Sequence, residues 1–430
     1  MRDPGAKSFL GGAIRDRGAL AVFLIAIVLR LAWVSFDNAR HPGEDYYRSG
    51  DAIEYSAVAE NLLSGKGWWS PDSGGQPYHH GPIFPLYVAG VLALGGSLFT
   101  VTLVNAFVGA LTCWGVVRLG RRMSPGEGAL LAGLAMAVYP YFLYYTSKIL
   151  TETLTAFFGL LLFAVFLRFS RRPDYLNAAV AGFVLGLATL NHPETYIAPP
   201  LLILWILIAH PERMRAMKRL ALLLIVFGLT LFPWHTYHAV RYGKSLFLPP
   251  SLGAAGVLAQ ATLEAKGRIE GDPAYFEGVS ESLVNQGGDL DDEYGNAGGV
   301  AVASGQVLRD LMEQPGEYLH FVALKFRRMW GLAPEQGAYS RPWIVLPTGA
   351  LHILLYTGFL AGLVLHRRRE EALLALTLVA VYTVPHLIFY AQPRYRLPVV
   401  PVLMVFAGLA ASVLLAWIGE RRRAVAPSRL

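Results

Sequence analysis

Charge and cysteine are both scarce in this sequence. Only 16% of its 430 residues are Asp, Glu, Lys or Arg, whereas 54% are hydrophobic, and the mean hydropathy is +0.42. Soluble domains carry about 25% charged residues, so the composition excludes an ordinary soluble protein and indicates an integral membrane protein. The single cysteine, Cys113, lies within an apolar run, and an internal disulfide is therefore excluded.

The formal net charge of +7 does not indicate a nucleic-acid partner. The basic residues form short clusters between apolar runs, whereas nucleic-acid binding requires a continuous basic surface. We therefore expect membrane lipids around the protein and no nucleic acid bound to it.

Long apolar runs are abundant, and about ten of them approach the ~20 residues that a helix needs to cross a bilayer. The predicted spans are 18–36, 100–117, 126–143, 148–167, 176–191, 194–209, 219–238, 344–365, 371–389 and 398–418. The sequence thus predicts an all-α integral membrane protein in which residues 1–430 form a single polytopic membrane domain.

One further apolar run, 82–98, decides the orientation of the chain. If it spans the membrane, every later arginine cluster lies on the side opposite the basic N-terminus. If it is an interfacial helix, all clusters share one side, which the positive-inside rule makes cytoplasmic. We favour the interfacial helix, which gives cytoplasmic termini and two large external loops, 37–99 and 239–343.

Two carboxylates, Asp51 and Glu54, begin a helical pattern directly outside the first span. Their three-residue spacing is typical of a capping box, in which the first side chain bonds the backbone of the helix start and the Glu reaches back. Alternatively, Asp51 is a general base held above the bilayer, where an acceptor can lose a proton to it. The spacing alone favours neither interpretation.

Glu152 lies near the outer end of the fourth predicted span, four residues after Lys148. In one interpretation the two residues form an ion pair along the helix. In the other, Glu152 faces a wet cavity, because an ionised side chain within a span costs a few kcal/mol and usually has a function there.

An outer turn at the end of the fifth span carries His192 and Glu194 in the stretch NHPE. Helix-end capping is one interpretation. A divalent metal held by His79, His80, His192 and Glu194 is an open alternative, although no tight ligand spacing links these residues. No other cofactor is indicated.

The last external turn, QPRYRLP, carries Arg394 and Arg396 with Tyr395 between them. These arginines lie outside, against the charge bias of the chain. Interfacial anchoring would explain them, but a planar guanidinium also suits a phosphate oxygen, and we favour phosphate binding.

Five motifs, in their order along the chain, resemble those of the GT-C membrane glycosyltransferases. They are SGDAIEYSAVAENLLSGKGW, HHGPIFPLYVAG, TSKILTETL, GFVLGLATLNHPE and RYRLPVVP. Within that class the chain is most similar to the bacterial relatives of protein O-mannosyltransferases and of lipid A aminoarabinose transferases. The resemblance extends to about residue 240 and returns from about 315 to 410. It implies a GT-C-like bundle with interfacial helices in the external loops.

The resemblance also implies a reaction, in which a hexosyl or pentosyl group moves from a polyprenyl-phosphate carrier to a lipid, glycan or protein acceptor. This chemistry would take place at the outer, periplasmic face of the cell's inner (plasma) membrane. Asp51 matches the acidic residue that is the expected catalytic base. Glu152 matches the acidic residue at the outer end of the fourth span, which is the second expected catalytic residue. The residues expected to bind substrate are Glu54, His80, Lys148, His192, Glu194, Arg394, Tyr395 and Arg396.

A lipid-linked sugar flippase or another transporter is the alternative, because it would also combine many spans with a cationic cavity. Three features of the sequence favour the enzyme. The external loops are large, the spans lack two-half symmetry, and the ionisable residues gather at the outer ends of the spans.

Overall fold

A computed structural model describes residues 16–69, 78, 80–209, 213–242, 261–263, 297–332 and 342–425. Its long regular elements within these ranges are α-helices. In the first part of the chain they are α1 (Arg17–Arg40), α2 (Asp51–Leu63), α3 (Ile83–Ala93), α4 (Leu98–Met123), α5 (Gly128–Ala137), α6 (Pro140–Thr146), α7 (Glu152–Arg171), α8 (Tyr175–Asn191), α9 (Ala198–Ala209) and α10 (Arg213–Tyr242).

The helices of the second part follow residue 296. They are α11 (Ala297–Glu313), α12 (Pro315–Trp330), α13 (Pro342–Leu365), α14 (Arg369–Ile388) and α15 (Val400–Val425). Single turns of 3₁₀ helix occur at Glu44–Tyr47, Pro193–Ile197 and Pro393–Arg396.

Each of the ten predicted spans coincides with helical structure. In the described ranges, seven helices are long and apolar enough to cross a membrane, or eight if α5 and α6, which meet at a 47° bend, form one span. Helix α8 and the segment Pro193–Ile208 are apolar but shorter. The predicted multi-pass all-α bundle of roughly ten helices is confirmed.

The run 82–98 contains helix α3, which has only 11 residues. Its length of about 16 Å is half the thickness of the hydrocarbon layer. The chain then turns at Gly95, which has a φ of +83°, and Ser97 caps the start of α4. This short helix agrees with the interfacial interpretation.

Helices α11 and α12 are separate, because the helix is interrupted at Gln314, directly before Pro315. Phe321 and Met329 of α12 are buried, whereas Leu319 and Phe326 are exposed. Lys325 is also buried and donates a hydrogen bond to the Ile388 carbonyl at 2.6 Å, which attaches α12 to the end of α14.

The bend between α5 and α6 is supported by a buried cation from the first span. The guanidinium of Arg30 donates to the carbonyls of Ala137 at 3.3 Å and Met136 at 3.4 Å. The last carbonyls of a helix lack partners within the helix and carry partial negative charge, so an arginine there stabilises the break.

Arginines from several helices meet at one end of the bundle. Arg121 of α4 bonds Asp16 at the start of α1, and Arg171 at the end of α7 donates to Glu371 of α14 at 2.7 Å. Arg122 is close enough to Arg171 for the two charges to interact. Since α7 rises about 30 Å, Glu152 at its start lies at the opposite end of the bundle.

Helix α7 comes so close to the backbone at Pro398 that position 159 requires glycine. A Cβ atom there would lie 1.9 Å from the Pro398 carbonyl oxygen, whereas a Cβ at Gly228 of α10 would meet nothing within 4 Å. We predict that Gly159→Ala destabilises the bundle by about 1–3 kcal/mol through overpacking.

Thermal unfolding of the protein in lipid nanodiscs tests this prediction. Gly159→Ala should lower the Tm, and the matched control Gly228→Ala should leave it unchanged or raise it, because alanine is the better helix former. Equal melting temperatures for both variants would contradict the close approach.

Candidate active site

Asp51 is the first residue of α2 and points away from its own helix. The helix is preceded by Gly50, whose φ of +57° suits the turn that leads into it, and no side chain caps the first turn. Instead, Asp51 Oδ2 accepts a hydrogen bond from Arg394 Nη2 at 2.9 Å, and the Asp51 side chain is 51% exposed. The capping-box interpretation is therefore wrong, because a distant arginine binds the carboxylate.

Glu152 begins α7 and is buried. One of its carboxylate oxygens lies 3.4 Å from Arg394 Nη1, so Asp51 and Glu152 contact the same guanidinium. The other oxygen, Oε2, has no hydrogen-bond partner among the described residues.

Lys148 does not pair with Glu152. Residues 147–151 between α6 and α7 are not helical, and a four-residue spacing aligns two side chains only in a continuous helix. The Lys148 ammonium instead lies 3.4 Å from Asp37 of α1 and bonds the Tyr46 hydroxyl. Burial lowers the pKa of Lys148, and the Asp37 carboxylate opposes that shift.

Arg394 lies in the 3₁₀ turn between α14 and α15, at the centre of the cluster. Besides the two carboxylates, it contacts the Tyr395 hydroxyl through Nη2 at 3.3 Å. Burial disfavours its charge, but Tyr395, Glu152 and Asp51 outweigh that effect and raise its pKa above the ordinary value. A positive charge is therefore held firmly next to two carboxylates.

Arg396 does not join Arg394. Residues two apart in a 3₁₀ turn lie about 240° apart around its axis. Arg396 is fully buried and donates to the carbonyls of Met329 at 3.0 Å and Gly331 at 2.6 Å, as well as to the Tyr356 hydroxyl at 3.1 Å. The predicted arginine pair is thus divided, because Arg396 fixes the end of α12 and leaves Arg394 alone in the site.

Glu194 lies between two imidazoles. Its oxygens are 2.9 Å from His192 Nδ1 and 2.6 Å from His386 Nε2. Burial disfavours a charged His192, yet the Glu194 and Glu152 carboxylates raise its pKa above the usual value. The Glu194 charge is therefore balanced locally, and His192 is within electrostatic range of the carboxylate and guanidinium cluster.

Glu54 and His80 form a pair beside Asp51, with 3.4 Å between the carboxylate and Nε2. Tyr55 is buried between this pair and the Arg394 cluster. Burial, together with the negative charges of Asp51, Glu152 and Glu54, raises the pKa of Tyr55 well above its usual range. One aromatic side chain thus links the two groups of carboxylates.

Several buried polar atoms in this region have no hydrogen-bond partner among the described residues. They are Glu54 Oε1, Glu152 Oε2, Asn191 Oδ1 and Arg394 Nε. More than 90% of buried polar groups in proteins are hydrogen-bonded to protein or water. Glu152 Oε2 and Arg394 Nε belong to two side chains that contact each other, so both atoms are available to a polar ligand at that contact.

The proposed metal-ligand set does not come together in the described part of the chain. His80 pairs with Glu54, whereas His192 pairs with Glu194, and no group of three or more His, Cys, Asp or Glu side chains there could hold a metal ion. The fourth residue of that set, His79, lies outside the described residues.

Sequence reasoning missed two residues near the site. Asp37 near the end of α1 is the partner of Lys148, and His386 near the end of α14 is a partner of Glu194. Both are ionisable residues at the end of a predicted span, which is the criterion that singled out Glu152. Applying it to every span would have found them.

Comparison with known proteins agrees with the predicted resemblance. Residues 79–237 match the family model described as dolichyl-phosphate-mannose-protein mannosyltransferase. That range includes Glu152 and Glu194 but neither Asp51 nor Arg394. No curated protein matches the chain by sequence.

Two solved structures have the same fold. The oligosaccharyltransferase AglB from Archaeoglobus fulgidus, solved with an inhibitory peptide and a dolichol-phosphate, matches 96% of this chain with a TM-score of 0.58 and 15% identity. ArnT from Cupriavidus metallidurans, solved with undecaprenyl phosphate, matches 94% with a TM-score of 0.54 and 17% identity. The membrane fold of the GT-C glycosyltransferases is therefore confirmed for this chain.

The matched structures are larger than this chain. The alignment covers 52% of AglB and 63% of ArnT. The chain thus spans about half the length of the former and less than two thirds of the latter.

The observed partner of Lys148 leads to a prediction. Removing one member of a buried ion pair leaves an uncompensated charge, and we expect Lys148→Met to cost about 3 kcal/mol of stability. This loss of stability should be unchanged when Glu152 is also changed to Gln. It should be at least halved when Asp37 is also changed to Asn, because the Asp37 carboxylate is the charge that Lys148 compensates.

Thermal unfolding of the single and double variants measures both couplings. The reverse pattern, with the loss relieved by Glu152→Gln instead, would restore the ion pair predicted from the sequence.

Proposed function

We propose that this protein is a membrane glycosyltransferase that transfers a hexosyl or pentosyl group from a polyprenyl-phosphate carrier to a lipid, glycan or protein acceptor. The observation that carries the proposal is the single guanidinium of Arg394 between the carboxylates of Asp51 and Glu152. This arrangement places side by side the two groups that such a transfer needs, which are a base for the acceptor and a cation for the leaving phosphate.

Asp51 is the proposed general base. It is the more exposed of the two carboxylates, so an acceptor from the aqueous side can reach it. The acceptor oxygen or nitrogen attacks the anomeric carbon and loses its proton to Asp51. The bond between that carbon and the phosphate oxygen breaks, and the electron pair leaves with the polyprenyl phosphate.

Arg394 is the proposed phosphate ligand. The phosphate that leaves gains negative charge in the transition state, and a guanidinium can follow that charge with two parallel hydrogen bonds. Its N–H groups bind Asp51 and Tyr395. A bound phosphate would compete for these groups and free Asp51 to accept a proton.

Glu152 and His192 are proposed to complete the site. Glu152 anchors the other side of the guanidinium, and its second oxygen can accept a bond from a sugar hydroxyl. The His192 imidazole can contribute a second positive charge near the phosphate, while Glu54 and His80 flank the acceptor side.

The distribution of charge supports an external site. The arginine-rich end of the bundle and the Arg394 site lie at opposite ends of α7, and the positive-inside rule makes the arginine-rich end cytoplasmic. We therefore propose that the protein lies in the cell's inner (plasma) membrane with cytoplasmic termini. The site then faces outward.

The first prediction of this proposal concerns the base. Purified protein in lipid, supplied with a panel of polyprenyl-phosphate sugars and acceptor-containing membrane extract, should release polyprenyl phosphate. We expect Asp51→Asn to reduce that release by about 10²-fold or more, because the amide cannot take up the proton. Mass spectrometry of the released lipid phosphate measures the rate.

Asp45→Asn is the matched control, since it makes the same change on an exposed residue of the same external segment. It should retain full activity. Equal activity of Asp51→Asn and wild type would refute the base. No release from any donor, together with movement of the intact lipid-linked sugar across the bilayer, would favour the transporter instead.

A second prediction concerns the phosphate ligand. Arg394→Lys retains the charge but loses the planar pair of donors, and we expect it to lower donor turnover by about 10-fold. Arg394→Gln should lower it further. Arg327→Gln, at an exposed position of α12, should have less than a 2-fold effect. A larger loss there than at Arg394 would move the phosphate site to α12.

A further inference from the structure

His386 lies at the outer end of α14, behind the candidate active site. Its Nδ1 is 2.9 Å from the Tyr390 carbonyl oxygen and its Nε2 is 2.6 Å from Glu194 Oε1. A carbonyl oxygen only accepts hydrogen bonds, so Nδ1 must carry a proton. The imidazole is therefore bonded at both of its nitrogen atoms.

The contact with Glu194 contains a second proton. Since Nδ1 is protonated, Nε2 either donates a proton to ionised Glu194 or accepts one from the protonated carboxyl group. One proton lies between Nε2 and Oε1 in both cases. The ring cannot turn without breaking a buried hydrogen bond, and an unmade buried hydrogen bond is unfavourable.

This fixed ring stacks on Tyr395. The two ring centroids are 4.0 Å apart, and the planes differ by only 2°. Tyr395 is in turn bonded to Arg394, whose Nη2 donates to its hydroxyl at 3.3 Å and whose Cζ lies 5.1 Å from its ring centroid. The orientation of the guanidinium thus depends on the plane of Tyr395, and that plane depends on His386.

We propose that His386 is a positioning residue: together with Glu194 it fixes Tyr395, and Tyr395 aligns Arg394 with the phosphate of the donor. The inference rests on the proposed function, because it assigns phosphate binding to Arg394. It also gives Glu194 a role in supporting the site instead of contacting the substrate. Side chains that bind a ligand act only when a surrounding layer of contacts holds their geometry.

Affinity for a polyprenyl phosphate, measured in nanodiscs by native mass spectrometry, tests this inference independently of turnover. The corresponding polyprenol, which lacks the phosphate, serves as the control lipid. We expect His386→Phe, which keeps a flat ring but loses both hydrogen bonds, to weaken binding of the phosphate about 10-fold without affecting the polyprenol.

The decisive measurement is the same substitution in an Arg394→Gln background. A residue that acts through Arg394 should cause less than a 2-fold further loss there, whereas an independent structural effect would repeat the full loss. Tyr382→Phe, one helical turn earlier in α14, removes a buried hydroxyl that has no hydrogen-bond partner among the described residues and should not alter binding.

Tyr395→Phe provides a second route if His386→Phe fails to fold, since it keeps the stacked ring and removes only the bond to Arg394. It should weaken phosphate binding in the same Arg394-dependent way. Equal losses in both backgrounds, or no loss in either variant, would overturn the inference. Binding that follows the expected pattern without sugar release from any donor would support the inference and refute the transferase.

Discussion

The ion pairs of Arg394 with Asp51 and Glu152 are the interaction on which this end of the bundle depends. Asp51 and Arg394 are 343 residues apart in sequence, yet their side chains lie 2.9 Å apart. A half-buried guanidinium is stable only if carboxylates compensate its desolvation. The start of α2, the start of α7 and the turn between α14 and α15 must therefore meet at one place, and that meeting point is the candidate active site.

Helix α14 connects the Arg394 site with the arginine-rich end of the bundle. Near its start, buried Glu371 accepts from Arg171, and near its end His386 bonds Glu194. The two residues are separated by about 22 Å along the helix. Because both of its ends are fixed by buried polar contacts, α14 can hold the following turn, with Arg394, at a defined position at the end of the bundle.

Hydropathy and charge predicted the helices, the shortness of α3 and the concentration of ionisable residues at one end, because these features follow from local composition. The partners of individual side chains could not be predicted in the same way. Asp51 had the spacing of a cap, and Lys148 had the spacing of a helical ion pair. Both rules assume that the nearest residue in sequence is the best partner, and in both cases a residue from a distant helix replaced it. The opposite directions of Arg394 and Arg396 likewise follow from a single 3₁₀ turn that periodicity cannot detect.

The central claim is that Arg394 binds the phosphate of the lipid carrier and thereby releases Asp51 for proton transfer. Cryo-electron microscopy of the protein in nanodiscs loaded with a polyprenyl phosphate tests it most directly. The account predicts phosphate oxygens within about 3 Å of the Arg394 guanidinium and an Asp51 carboxylate that has turned toward the aqueous side. Phosphate bound elsewhere, for example along α12, with the Asp51–Arg394 contact still intact, would contradict it.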